Sequence, residues 1–304
     1  MELVSDIYDE MRAVLAAVGR RVNIAVEHAR LLHLHSNAIF ALPAAGVVVR
    51  IATNPDAFDQ VTASLRVTRW LADRGFPCVV PADVPGQPFV EGGRVVSVWR
   101  YVPTVPRPRA IATDLGRLLR ALHDQPALPE PPGRFTDPLA GIANALDQHP
   151  DFLPSTHRRW LASRISQLRA AWHTLEFPHP PGLIHGDAHP GNLMRTPTGR
   201  TILGDWDHVA IGPREWDLAQ IQYTRRRFGR PTDDEIDRFF IAYGWDLRGW
   251  PGLPTLVAIR EISGLSPYLR TAMSKPFSAR ELAHRLDTLQ RQDTATLWNS
   301  PSAE

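Results

Sequence analysis

Short apolar runs broken by turn residues fill the first hundred positions. Longer runs, with an apolar residue every three or four positions, fill the rest. Leu31–Leu34, Ala38–Leu42 and Val47–Ala52 have strand length, and Pro43-Ala44-Ala45-Gly46 joins the last two, so antiparallel strands are expected. Between 56 and 73, Phe58, Val61, Leu65, Thr68 and Leu71 recur at helical spacing, the one helix this part of the chain predicts. Phe89–Val90 and Val95–Val98 flank Glu91-Gly92-Gly93-Arg94, a hairpin signal.

After Tyr101 the texture changes. Residues 102–109 (VPTVPRPR) resist both helix and sheet and read as a hinge or linker. Helical patterns follow at 110–123, 138–146, 155–174, 232–243, 252–271 and 278–291. Thr232 with Glu235 forms a capping box, which accounts structurally for the acidic cluster Asp233–Asp237. The expected architecture is α+β: a small antiparallel β-rich lobe over 1–101, a hinge over 102–109, and a larger, mostly helical lobe over 110–304.

Composition narrows the class without naming a function. A chain of 304 residues with 43% hydrophobic and 22% charged residues is that of a globular protein with a substantial core. Cys78 is the one cysteine, so no internal disulfide forms and a reducing compartment fits. The N-terminus is acidic, unlike a signal peptide, and no apolar stretch is long enough to span a bilayer; a cytoplasmic protein with no membrane partner is expected. The net charge is only +2, and all basic residues but Lys275 are arginines. The Arg225-Arg226-Arg227 run reads as a solvated helix face, and no nucleic-acid partner is expected. Nothing in the sequence sets an oligomeric state.

The chemistry sits in residues 181–219, PGLIHGDAHPGNLMRTPTGRTILGDWDHVAIGPREWDLA. The stretch reads as a short strand, a polar loop, two hairpin strands and a second loop opening a helix. Phosphoryl transfer needs a carboxylate near the attacking hydroxyl and oxygen ligands for the magnesium that carries the phosphates. His185-Gly186-Asp187, followed by Asn192, offers one carboxylate and one amide oxygen on a single loop. Asp205 follows an apolar strand, where a hairpin returns it beside Asn192.

The order matches a kinase catalytic loop and its metal aspartate. His-Gly-Asp followed by Asp-Trp-Asp resembles the aminoglycoside phosphotransferase family, small-molecule kinases with the two-lobed protein-kinase-like fold. The resemblance implies Asp187 as catalytic base, Asn192 and Asp205 as magnesium ligands, and His185 as a loop-shaping residue. It also implies Asp217 as the buttress of the catalytic loop, Trp99-Arg100-Tyr101 as the hinge that meets the nucleotide base, ATP or GTP as donor, and a small-molecule hydroxyl as acceptor. Trp99 has core packing as its other reading.

The match departs from the kinase pattern in the amino-terminal half. Arg50, in Val47-Val48-Val49-Arg50, stands where kinases place a lysine, and is read as a phosphate ligand whose partner the sequence does not show. The helix at 56–73 has no glutamate; the expected place falls near Ser64, with Gln60 a turn earlier. The turn His35-Ser36-Asn37-Ala38 lacks glycine; Ser36, Asn37 and the backbone amides cap the phosphates, or the segment is a plain hairpin turn. For a polycationic acceptor such as an aminoglycoside, Asp207, Glu261 and the Asp233–Asp237 cluster are the candidate carboxylates. The expected activity is ATP-dependent phosphorylation of a small-molecule alcohol, in antibiotic modification or metabolism. Two alternatives stay open: a catalytically weak kinase fold that binds a nucleotide or partner, and a metal-dependent phosphoesterase built on His185, Asp187 and His189.

Overall fold

The computed structural model describes residues 2–34, 37–105 and 111–300. Ser36 and residues 106–109 of the expected hinge lie outside that set. In chain order the first half contains α1 (Glu2–Val22), β1 (Arg30–Leu34), β2 (Asn37–Leu42), β3 (Val47–Ala52), α2 (Phe58–Asp73), β4 (Phe89–Glu91) and β5 (Arg94–Arg100). Next come α3 (Ile111–His123), α4 (Ala140–Gln148), α5 (Ser155–His173), β6 (Gly182–Ile184), β7 (Leu193–Arg195), β8 (Thr201–Leu203) and β9 (Ala210–Gly212). Helices α6 (Arg214–Phe228), α7 (Asp233–Tyr243), α8 (Leu253–Ser263), α9 (Ser266–Thr271) and α10 (Pro276–Gln290) complete the chain. The fold is α+β, with an antiparallel sheet in the amino-terminal part and helices in the carboxy-terminal part.

Two compact units form. The first comprises Met1–Arg109, Leu128–Gly133 and Gly191–Val209. Its five-stranded antiparallel sheet has the order β1-β2-β3-β5-β4. Strand periodicity sorts the side chains of β3: Val47, Val49 and Ile51 turn to one face, and Val48, Arg50 and Ala52 to the other. The first face is covered by α1 through Met11, Val14, Leu15 and Val18. The second is covered by α2 through Val61 and Leu65, which pack with Ala52, Val95 and Trp99. Arg50 therefore projects on the α2 side.

Helix α1 corrects the expectation of a single helix here. Its buried residues fall at 11, 14, 15 and 18, a narrow helical stripe sealing the sheet face that would otherwise meet water. The hairpin β7–β8 also belongs to this unit. The Leu203 amide donates to the Pro77 carbonyl (2.9 Å), the Val79 amide to the Leu203 carbonyl (3.1 Å), and the Val105 amide to the Arg195 carbonyl (2.9 Å).

The second unit comprises Ala110–Ala127, Arg134–Pro190 and Ala210–Glu304. Helices α3 and α7 pack so closely that a Cβ on Gly116 would fall 2.4 Å from the Phe239 carbonyl oxygen. The helical pattern at 252–271 becomes two helices, a second correction. The chain breaks at Gly264–Leu265, where a Cβ on Gly264 would lie 2.7 Å from the Tyr223 hydroxyl, and Pro267 in the first turn of α9 has no amide to continue the ladder. Strands β6 and β9 pair antiparallel, Leu183 opposite Ile211. They set the loop that follows β6 beside the start of α6. The capping box at Thr232 is present, its hydroxyl accepting from Glu235 N–H and its amide donating to the Glu235 carboxylate.

Candidate active site

In the second unit, β6 ends at Ile184 and the chain turns through His185-Gly186-Asp187. Gly186 has φ +84°, a left-handed conformation that favours glycine. Asp217, in the first turn of α6, grips this turn from below: its Oδ2 accepts the His185 amide at 2.7 Å and its Oδ1 the Gly186 amide at 2.8 Å. Trp216 holds the other backbone group of the same glycine, its Nε1–H donating to the Gly186 carbonyl at 2.8 Å. The Asp187 amide in turn donates to Nδ1 of the fully buried His185 at 3.3 Å. Asp187 itself keeps a side chain 38% exposed, 3.6 Å from His189 Nε2.

Behind the turn lie groups that the sequence did not reveal. His123, at the end of α3, donates Nε2–H to Asp217 Oδ2 at 3.2 Å and meets the Tyr243 hydroxyl through Nδ1 at 2.9 Å. Burial alone would raise the Asp217 pKa. The His123 hydrogen bond, the nearby His123 and His185 imidazoles and the His185 amide outweigh it and hold the carboxyl below its ordinary range. Arg260 of α8 is buried, lies over the Trp216 ring at 3.9 Å and donates Nη2–H to the Trp216 carbonyl at 2.7 Å. Burial pulls its pKa down to about 10, against the opposing charges of Asp187 and Asp217, so it stays a cation at neutral pH. His123 and Arg260 sit in ordinary helical patterns, and their partners are distant in sequence, so no local signal marked them.

A second cluster forms inside the first unit. The Asn192 carbonyl accepts the Gly204 amide at 2.8 Å, across the base of the β7–β8 hairpin, which makes Asn192 a neighbour of Asp205 as the spacing predicted. Asp205 adopts φ +57°, unusual for a residue with a side chain. Trp206 is wholly buried, its Nε1–H bound to the Leu203 carbonyl at 3.0 Å, and its ring meets Phe76 edge-on. Asp205 and Asp207 both turn to Arg50, whose Nη2 donates to Asp205 Oδ1 at 2.9 Å and to Asp207 Oδ2. Asn37 Nδ2 reaches the same Asp207 oxygen at 3.0 Å, and Gln60 Nε2 of α2 donates to the Asp207 carbonyl at 2.8 Å.

The other expected residues fall as follows. Trp99 is 5% exposed, with its Nε1–H on the Ser97 hydroxyl, so its indole belongs to the core. The Arg100 amide donates to the Val80 carbonyl and the Tyr101 amide to the Gly46 carbonyl, each at 2.8 Å. Glu261 is corrected outright. It is buried, its carboxylate bound by Arg227 at 2.6 Å with Arg226 at 3.7 Å, so it is neutralised inside the helical unit and presents no charge to an acceptor. Asp207 is likewise committed to Arg50 and Asn37. The Arg225-Arg226-Arg227 run is not one solvated face, since Arg227 is 1% exposed and only its neighbours reach solvent.

The donor set of the first unit fits a hard divalent cation. Asn192 and Asp205 offer amide and carboxylate oxygens, and two carboxylates facing one guanidinium leave a net negative charge.

The phosphotransferase enzyme family, APH, matches residues 27–254, and the chain belongs to that family. No curated protein matches the chain by sequence. Among solved structures, amicoumacin kinase hAmiN in complex with AMP-PNP, Ca2+ and Ami aligns with a TM-score of 0.71 at 15% identity, over 97% of this chain and 98% of that one. A choline/ethanolamine kinase family protein from Mesorhizobium loti gives 0.63 at 21% identity, over 93% and 94%. Aminoglycoside phosphotransferase APH(3'')-Id from Streptomyces rimosus, in complex with ADP and streptomycin, gives 0.59 at 17% identity, over 82% and 98%. These likenesses establish a shared kinase-like fold.

Proposed function

We propose that the protein transfers the γ-phosphoryl group of ATP, or of GTP, to a hydroxyl of a small molecule. The observation that carries this reading is the half-exposed Asp187 carboxylate on a turn whose two preceding amides are captured by buried Asp217. Such a turn holds one carboxylate in a fixed place while leaving it open to a substrate, which is what a base for a weakly acidic hydroxyl requires.

Asp187 orients the acceptor hydroxyl and takes its proton as the bond to phosphorus forms. Arg50 holds the phosphates through its guanidinium, and the Trp99-Arg100-Tyr101 segment meets the base through carbonyls, since the Arg100 and Tyr101 amides are already bonded to Val80 and Gly46. Asn37, and Ser36 beside it, complete the phosphate turn. Asn192 and Asp205 are the ligands for a magnesium ion, which when bound neutralises charge on the transferred group. Arg260 and Trp216 keep the turn from relaxing as charge moves. The role belongs to the cytoplasm, in antibiotic modification or in metabolism.

Aminoglycosides, amicoumacin, macrolides, choline, nucleosides and sugars, each mixed with MgATP or MgGTP, form the acceptor panel, read by mass shift. One acceptor should gain the mass of a phosphate, and Asp187→Asn should lower kcat at least about a hundredfold while nucleotide affinity moves less than about threefold. Nucleotide binding with no acceptor phosphorylated would favour the catalytically weak reading. An Asp187→Asn variant that keeps its rate would end the assignment of the base.

A further inference from the structure

Arg50 replaces the lysine of the third strand, and α2 supplies no glutamate to hold it. Residues 58–73 contain none, and Ser64, near the expected place, is 1% exposed with no partner for its hydroxyl. A guanidinium whose side chain is only 12% exposed still needs a counter-charge. We propose that Asp207 is that counter-charge: a positioning residue that fixes Arg50 for the nucleotide phosphates, taking over from the loop after β8 what a helix glutamate does in kinases. This rests on the reading of Arg50 as a phosphate ligand.

The two aspartates around Trp206 differ in how they are held. The Asp205 side chain is 48% exposed and meets Arg50 at 2.9 Å. Asp207 is held from three elements: its side chain, 16% exposed, by Arg50 of β3 and Asn37 of β2, and its backbone carbonyl by Gln60 of α2. Buried Trp206 between them locks the spacing, so a single guanidinium nitrogen faces both carboxylates. Arginine suits this arrangement because it is longer than lysine, so one terminal nitrogen reaches both carboxylates. Asp205 stays accessible to a cation, while Asp207 is tied into the sheet. Gln60 then links α2 to the strand arginine through Asp207, without a charge on the helix.

The test is a cycle of Asp207→Asn, Arg50→Gln and the double variant. It is read by calorimetric affinity for ATP in EDTA, by KM for MgATP and for the acceptor, and by thermal unfolding. Each single change should weaken ATP binding roughly tenfold, the loss of one charge-assisted contact, and the double variant should be no worse than Arg50→Gln. The acceptor KM should move less than about threefold. Asp207→Glu should recover part of the affinity. Gln60→Met, which leaves every charge in place, should weaken ATP binding in the same direction by less, about threefold, and guards against a misfolded Asp207→Asn.

A raised acceptor KM with ATP affinity intact would overturn the proposal in favour of a substrate-facing carboxylate. Losses that multiply in the double variant would overturn it by showing independent roles. A shift in the magnesium requirement with unchanged affinity in EDTA would overturn it in favour of a second metal ligand. If Arg50→Gln leaves ATP affinity unchanged, the phosphate reading of Arg50 falls and this proposal with it, and the unfolding cycle then reports whether the two side chains are coupled at all.

Discussion

The Asp217 side chain is fully buried and receives two backbone amides and an imidazole, whereas the Asp205 side chain is 48% exposed and faces one guanidinium. Both are aspartates of the same forty-residue stretch, and both belong to what the sequence marked as chemistry. The contrast separates anchoring from action. A carboxylate that every neighbour has satisfied sets geometry, and one left accessible beside a single guanidinium is available to a metal cation.

Exchanging the two roles by mutation gives the sharpest break. Asp205→Asn should lower kcat by at least about a hundredfold, while thermal unfolding shifts by no more than about 1 kcal/mol, as for an exposed ion pair. Asp217→Asn should do the reverse in emphasis. It leaves two buried amides and His123 poorly matched and costs about 3 kcal/mol of stability, measured by denaturant titration, with activity falling as the Asp187 turn loosens. Equal effects of the two changes on stability would erase the distinction drawn here.

Backbone strain sharpens the comparison on the anchoring side. Gly186→Ala forces a side chain into φ +84° and should cost roughly 1–3 kcal/mol, read in the same titration, with a loss of kcat but little change in nucleotide affinity. The smallest expected effect is in pH dependence. Because the Asp217 pKa is depressed in the folded state, its contribution is fully present above the ordinary aspartate value of about 3.9 and is lost as pH falls through the folded value. The wild-type protein should therefore lose stability more steeply on acidification below about pH 4 than Asp217→Asn does. Parallel acid limbs would mean that Asp217 does not titrate with folding.

What the chain revealed in advance follows from distance along it. His185, Asp187, Asn192 and Asp205 lie on consecutive short elements, and the apolar runs around them fix the loop and hairpin, so the adjacency of Asn192 and Asp205 was legible from spacing. The sheet was legible for the same reason, since β2, β3 and β5 are short apolar runs bounded by turn residues. Helix α1 was missed because its apolar stripe is narrow and set among charged residues, and only the sheet face it covers gives that stripe a purpose. The break between α8 and α9 was missed because a glycine inside a helical pattern signals weakly until Tyr223 is packed against it. Arg50 with Asp207, 157 positions apart, and Glu261 with Arg227, 34 apart, are pairings that no local rule joins. They decided which acidic residues are available and which are already neutralised.

The hairpin of β7 and β8 has a consequence for dissecting the molecule genetically. It is encoded more than eighty residues after the sheet, yet its backbone bonds go to Pro77, Val79 and Val105. A fragment stopped in the proline-rich stretch would expose those carbonyl and amide groups as an unfinished edge, prone to self-association. Separate expression of the first unit therefore calls for a circularly permuted gene or grafted copies of 128–133 and 191–209.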